Sequence, residues 1–391
     1  MSTKKRIKNL TIKGFKSIRD LDNLRLNSLN VLIGANGVGK SNFVDYFRML
    51  GEMMAGRLQL WTNKQGGAER ILSYGIKETA RMQSYVRFDR NGFSFELEPT
   101  VDGAFVFASE HLTFEGNLGD KQQSLGTGHT ESMLPGQAAL ADKFSAPGYS
   151  YNSIVQWKVF HFHDTSETAG VKRWGALHDN EFLRSDASNL AAYLYRLSKE
   201  HPSVLGQIRR TIQLAIPIFD DFVFKPREKP TQEQEINLQW RQKDSDYVLW
   251  PSQLSDGSIR FICLVTTLLQ PDPPSTLVID EPELGLHPYA ITLLGALLRS
   301  ASKRMQVIVS TQSVALLNEF EIEDLIVVDR EDSGTVFKRL DATDFAKWLE
   351  DYTIGELWQK NILGGAVGMR KKCELFNQWL KNLELLAEER R

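Results

Sequence analysis

Gly34-Ala35-Asn36-Gly37-Val38-Gly39-Lys40-Ser41 is the stretch whose reading decides the fold. It follows the phosphate-loop pattern of glycine, four residues, then Gly-Lys-Ser, and its flanks agree with that pattern. Upstream, Leu29-Asn30-Val31-Leu32-Ile33 is a short apolar run that reads as a buried strand. Downstream, Phe43, Val44, Phe47 and Leu50 recur at helical spacing. In that setting the glycines let the backbone turn tightly enough for successive N–H groups to face an anion, and the helix adds the positive end of its dipole. The predicted cradle comprises Asn36, Gly37, Val38, Gly39, Lys40, Ser41 and Asn42. Lys40 would reach the β- and γ-phosphates of a nucleotide, and the Ser41 hydroxyl would be a ligand of Mg²⁺.

A chain of 391 residues has room for one large or two ordinary domains. Hydrophobic content of 42% with 25% charged residues is that of a soluble globular protein. The net charge of −2 supplies no global field for nucleic acid, so any DNA contact must be a local patch. The basic cluster Lys4-Lys5-Arg6 with Lys8 reads as a solvated N-terminal tail. Two cysteines, Cys263 and Cys373, give neither a disulfide framework nor a metal site and suit a reducing cytoplasm. No run approaches membrane-spanning length and no signal segment opens the chain, so a cytoplasmic location without a membrane partner is expected.

Residues 6–16 read as a first strand and Leu24-Arg25-Leu26 as a second. Tyr85-Val86-Arg87-Phe88 and Phe93-Ser94-Phe95-Glu96-Leu97, joined by Asp89-Arg90-Asn91-Gly92, read as a hairpin. Residues 102–148 are rich in Gly, Ser, Thr and Gln and are expected to contain mobile loops. Ile154 to Phe160 reads as a strand, 187–216 as helices broken at Pro202, and Phe222-Val223-Phe224 and Ile236 to Trp240 as further strands. Sustained heptads are missing, which excludes long coiled-coil arms. Residues 345–391 read as mainly helical, with an apolar stripe through Leu375, Phe376, Trp379, Leu380, Leu383 and Leu386 for its own domain or a second subunit.

The second half of the site lies between 253 and 313. Thr276-Leu277-Val278-Ile279-Asp280-Glu281 is an apolar strand ending in two carboxylates. In phosphate-loop proteins the strand beside the loop ends in an acid that holds Mg²⁺, the place of Asp280, and Glu281 is placed to polarise an attacking water. Ser255, in Leu254-Ser255-Asp256-Gly257-Ser258, is a candidate N-cap of an apolar helix whose open N–H groups form a second anion site. Such a capped helix alone is ordinary; its position before Asp280 points to function. Val307 to Ser310, ending in Thr311-Gln312-Ser313, and Asp324 to Val328 complete the strands. The expected fold is α/β: a phosphate-loop core with a mostly parallel sheet, an antiparallel β lobe and a helical insertion, and the site at the strands' carboxyl ends. One unit is expected over 1–391: an N-terminal lobe 1–55, β lobe 56–165, insertion 166–250, a 251–345 segment carrying Ser255 through Gln312, and a tail 346–391.

The order of these motifs resembles the head of ABC-class ATPases, and more narrowly the RecF/SMC-like, OLD-type ATPases of bacteria. The residues carrying the resemblance are Gly14-Phe15-Lys16-Ser17-Ile18, the phosphate loop, and Asp280-Glu281-Pro282-Glu283-Leu284-Gly285-Leu286-His287-Pro288. His161 to Ser166 and Tyr352 through Gly365 are similar to one bacterial subgroup. The resemblance implies a head-to-tail dimer that holds ATP and Mg²⁺ between the phosphate loop of one copy and Ser255 and Gly257 of the other. It implies that Gly285 to His287 lie at the dimer interface, that Lys16 lies by the adenine, and that Glu281, Lys40 and Gln312 serve hydrolysis. Relatives carry His where this chain has Gln312; an amide donates a hydrogen bond but carries no proton, so slow turnover is expected. The glutamine that completes the Mg²⁺ shell in relatives has two candidates here, Gln156 and the His163-Asp164 segment.

The expected role is an ATP-switched sensor subunit of an anti-phage defence complex, forming homodimers or higher homo-oligomers and acting with a separately encoded nuclease or toxin. OLD-type relatives add a metal-dependent nuclease domain; residues 330–391 are too few for it and lack its carboxylates, so no intrinsic nuclease is expected. The alternative is a RecF-like ATPase with DNA as a direct partner. A transporter subunit is disfavoured by the Phe15-Lys16-Ser17-Ile18 opening and the inserted β-rich lobe.

Overall fold

The computed structural model describes residues 6–116, 119–331 and 334–364. Strands β1 (Asn9–Phe15), β2 (Ile18–Arg25) and β3 (Leu29–Ile33) open the chain, followed by helices α1 (Lys40–Met54), α2 (Leu58–Lys64) and α3 (Ala68–Ile71). The hairpin β4 (Met82–Arg87) and β5 (Asn91–Pro99) continues into β6 (Phe105–Gly116) and β7 (Gly119–Gly126). Helices α4 (Leu134–Leu140) and α5 (Ala146–Val155) then lead to β8 (Trp157–Phe160). The insertion holds β9 (Gly175–Ala176), α6 (Leu190–Glu200), α7 (Pro202–Ala215) and five short strands. These are β10 (Phe219–Val223), β11 (Arg227–Glu228), β12 (Gln234–Ile236), β13 (Gln239–Gln242) and β14 (Val248–Leu249). The chain then runs through α8 (Asp256–Leu269), β15 (Thr276–Asp280), α9 (Pro288–Ser302), β16 (Gln306–Thr311), α10 (Val314–Leu317), β17 (Leu325–Glu331) and β18 (Gly334–Arg339). Helices α11 (Ala342–Leu349) and α12 (Ile354–Gln359) end the described part.

Two six-stranded sheets organise these elements. The central sheet has the order β18-β17-β3-β16-β15-β8, all parallel except the edge strand β18. Every residue of β3, β15 and β16 is buried, as a parallel sheet covered on both faces requires. Alternation along β3 splits its side chains: Leu29, Val31 and Ile33 join the core under α6 to α9, while Leu32 joins the core under α1 and the second sheet. That second sheet is antiparallel, β2-β1-β4-β5-β6-β7, so the strands of residues 1–55 divide between the two sheets. Among the described residues no helix exceeds 15 residues, and none is long and apolar enough to cross a membrane.

Several expectations are corrected. Residues 102–148, where composition indicates only loops, also contain β6, β7 and α4. Phe105, Phe107 and Leu112 do enter the core, but the register shift at Glu96/Leu97 interrupts the alternation. Glu110 is also buried in the strand, hydrogen-bonded by Ser132 and by the Met133 N–H at 2.9 Å. Strand β7 is an exposed edge, and its polar composition is what such a position favours. Ile154 and Val155 end a helix instead of opening a strand, because Ser145 caps α5 by accepting from the Gly148 N–H at 3.3 Å. Ile236 to Trp240 divides into β12 and β13 in two different small sheets. The strand neighbouring β3 on the Asp280 side is β16; β15 is one strand further out. The apolar stripe from Leu375 to Leu386, Cys373, and Lys4 and Lys5 lie outside the described residues.

Candidate functional site

The phosphate loop joins the carboxyl end of β3 to α1. Gly37 and Gly39 have φ of 79° and 115°, left-handed values that side chains oppose. A Cβ at Gly37 would meet nothing within 4 Å, so the loop presents backbone to open space. Helix α1 begins with no side-chain cap, which leaves its first N–H groups for an anion. Lys40 is buried, and its Nζ donates to the carbonyls of Gly34 at 2.7 Å and Ala35 at 3.0 Å. Burial holds the Lys40 ammonium below its ordinary pKa, opposed by the charges of Glu281, Asp280 and Glu283. Asn36 and Ser41 are exposed, while Val38 is buried.

Asn42, placed in the predicted cradle, has its side chain tied to the turn after β1. Its Nδ2 donates to Ser17 Oγ at 2.7 Å. Thr335 Oγ1 lies 2.7 Å from the same oxygen and 2.6 Å from the Val38 carbonyl. Asn42 therefore braces the loop from behind, through β18 and the turn after β1. Sequence reading missed Thr335 because it sits in an unforeseen edge strand. Lys16, at φ 48°, donates to Asp45 at 2.7 Å and Gln65 at 3.2 Å. It lines an open cleft of about 520 Å³ with Asn42, Glu69 and Tyr74.

Across the sheet, β15 ends in one acid, Asp280, and two more, Glu281 and Glu283, follow it. Asp280 is buried and accepts from Ser310 Oγ. Glu281 has φ 45°, a strained value for a non-glycine residue, held by its N–H donating to the Ser310 carbonyl at 2.9 Å. Its Oε1 accepts from Gln312 Nε2 at 2.6 Å. Glu283 accepts from Thr311 Oγ1 at 2.6 Å and from the Gln312 N–H at 3.3 Å. Its other oxygen is buried without a hydrogen-bond partner, and burial raises its pKa. The charges of Glu281, Asp280 and Glu283 all act on the Lys40 ammonium. Asp280 and the Ser41 hydroxyl are hard oxygen donors of the kind Mg²⁺ takes, so the residues fit that ion.

The two candidates for completing the cation shell separate cleanly. Gln156 precedes β8, at the sheet's amino end, where its carbonyl accepts from the Ser275 N–H at 3.2 Å. It is therefore removed from Asp280. His163 follows β8, and its Nε2 lies 3.2 Å from the Asp280 carbonyl. It stacks on His161 with ring centroids 4.1 Å apart. Burial and the His163 ring hold His161 below the ordinary imidazole pKa. Arg260, also unforeseen, ties this segment to α8: its Nε donates to the Phe162 carbonyl at 2.8 Å and its Nη1 to the Leu284 carbonyl.

Ser255, Gly257 and His287 come together at a second place. They line one cleft with Gly285, Leu286 and Phe261, and that cleft includes neither the phosphate loop nor Asp280 and Glu281. Ser255 caps α8 by accepting from the Ser258 N–H at 3.2 Å, and it is exposed. Gly257 lies so close to the Gly285 carbonyl that a side chain there has no room. His287 caps α9, its Nδ1 accepting from the Tyr289 N–H at 3.3 Å.

This architecture is that of an α/β phosphate-loop ATPase with its motifs on the head scaffold of the SMC proteins. A crystal structure of the SMC head bound to the C-terminal winged-helix domain of ScpA has a TM-score of 0.57 at 15% identity, over 87% of this chain and 99% of that one. An SMC head with an extended coiled coil bound to the C-terminal domain of ScpA, derived from Pyrococcus furiosus, gives 0.52 at 15% identity, over 88% and 98%. The chain belongs to the family described as "AAA domain, putative AbiEii toxin, Type IV TA system", matched over residues 29–318. No protein of curated function matches the sequence.

Proposed function

We propose that this chain binds and slowly hydrolyses ATP, and that two copies associate head-to-tail around it as the switch of a larger complex. The observation that carries this reading is the division of the site into two half-sites on one chain. Phosphate-loop backbone, Lys40, Ser41 and Asp280 form one half; exposed Ser255 and half-buried Gly257, at the start of α8 and in a separate cleft, form the other. Neither half encloses a triphosphate, and a second copy supplies the missing one. A bound Mg²⁺ would draw charge from the phosphates. Ser41 and Asp280 would hold it, Lys40 would bind β- and γ-oxygens, and Glu281 would orient and deprotonate the attacking water. Gln312 would position Glu281 and donate to the γ-phosphate.

The family's description names a toxin of a toxin–antitoxin system. That supports placing the ATPase among paired components, with a separately encoded nuclease or toxin as effector in phage defence. The reading is tested by the solution mass of the Glu281→Gln variant, by light scattering with and without ATP and Mg²⁺. Doubling only with nucleotide supports it; an unchanged monomer mass with bound nucleotide contradicts it.

A further inference from the structure

A cleft of about 590 Å³ opens at the amino ends of β3 and β16, the opposite edge of the sheet from the phosphate loop. Arg6 and Lys8 reach it from before β1, Arg25 from the end of β2, and Arg299 and Lys303 from the end of α9. Asp324 is the one acid among its lining residues. Five cations against one carboxylate stand out in a chain of net charge −2. Basic residues closing a helix ordinarily offset its dipole, which accounts for Arg299 and Lys303. It does not account for three more converging from other elements.

These charges are largely uncompensated. Arg6 donates only to neutral groups, Ser28 Oγ and the Ser302 carbonyl at 3.1 Å, and its Nε is buried without a partner. Lys8, Arg25 and Lys303 are exposed and make no ion pair within the described residues. Arg299 donates to the Glu319 carbonyl, and its one ion pair among the described residues is a loose one with the Glu319 carboxylate at 3.5 Å. Arg25 also lies near enough to Arg339 to oppose its charge. No aromatic side chain lines the cleft among the described residues, so it has no platform for stacking unpaired bases.

We propose that this cleft binds the phosphodiester backbone of duplex nucleic acid without regard to sequence. Convergent Lys and Arg side chains displace condensed counterions from a row of phosphates, and that term alone gives sequence-independent affinity. The site is distinct from the nucleotide site. Strands of five and six residues separate the two edges, roughly 17–20 Å at the rise of a parallel strand. The proposal does not rest on the ATP reading, and Lys40→Ala should leave it intact.

The test is fluorescence anisotropy of a labelled DNA duplex of about 20 base pairs, titrated at several salt concentrations from about 50 mM. The triple variant Lys8→Ala, Arg25→Ala, Lys303→Ala changes only exposed side chains. It is expected to lose about tenfold or more in affinity and to flatten the log–log salt slope by about 2–3. A control, Lys199→Ala with Lys225→Ala, removes two exposed charges elsewhere and is expected to change affinity less than about twofold. The proposal is overturned if the wild type shows no binding at low salt or if the triple variant binds as the wild type does. It is also overturned if tripolyphosphate at equal phosphate concentration displaces the duplex, since the cleft would then be a small-anion pocket.

Discussion

Gln312 donates its side-chain amide to the carboxylate of Glu281, Nε2 to Oε1 at 2.6 Å. The two residues follow the adjacent parallel strands β16 and β15, whose ladder pairs Asp280 with Ser310. A polar side chain after one strand therefore sets the direction of an acid after the next. Gln312→Ala should lower kcat about tenfold with little change in KM, because it removes orientation of the base rather than substrate binding. Gln312→His should raise turnover above wild type, with activity climbing through about pH 6.5 as the imidazole becomes neutral. Steady-state phosphate release measures both; an unchanged kcat in Gln312→Ala would remove the role given to the contact.

Lys40 and Glu281 should separate by phenotype. Lys40→Ala removes the ammonium that bridges the loop carbonyls and meets the phosphates, so ATP affinity by calorimetry should fall by about 100-fold, roughly 3 kcal/mol. Glu281→Gln should bind ATP nearly as the wild type does while hydrolysis drops by at least about 100-fold. Equal loss of binding in both variants would contradict the division of labour.

Asn42 is expected to act on the loop's stability rather than on the nucleotide. Asn42→Ala deletes its hydrogen bond to Ser17 and should cost about 1 kcal/mol in urea unfolding, with a modest rise in KM and unchanged kcat. A large fall in kcat at unchanged stability would return Asn42 to the ligand shell.

Glu283 gives a pH signature. Burial raises its pKa, so the folded chain holds this proton more tightly than the unfolded chain. Its contribution to stability is then fullest below the ordinary glutamate value of about 4.3 and is lost as pH rises through the folded value. Glu283→Gln, which never ionises, should therefore gain in Tm relative to wild type as pH is raised from about 4.5 to about 7.5. A difference constant over that window would mean the carboxyl titrates normally.

The core and its loop were legible because strong local signals coincide with burial on both faces. Leu29 to Ile33, Thr276 to Asp280 and Val307 to Ser310 are apolar runs that only a covered parallel sheet accommodates. Strand β7 was illegible because an exposed edge needs no apolar residue, and β6 because buried Glu110 interrupts its pattern. Ser17, which holds Asn42, is itself held by Thr335, 318 positions away, and the basic cleft gathers Lys8, Arg25 and Lys303 from three separate parts of the chain. Juxtapositions of that range leave no local trace.

The central claim, that each nucleotide is closed by Ser255 of a second copy, is tested most directly by complementation in trans. Lys40→Ala and Ser255→Arg should each be inactive alone. Mixed in equal amounts with ATP and Mg²⁺, half of the two-fold dimers should be hybrids, each pairing one intact phosphate loop with one intact Ser255. ATPase activity should then return to about a quarter of the wild-type rate. A mixture as inactive as its components would contradict the account.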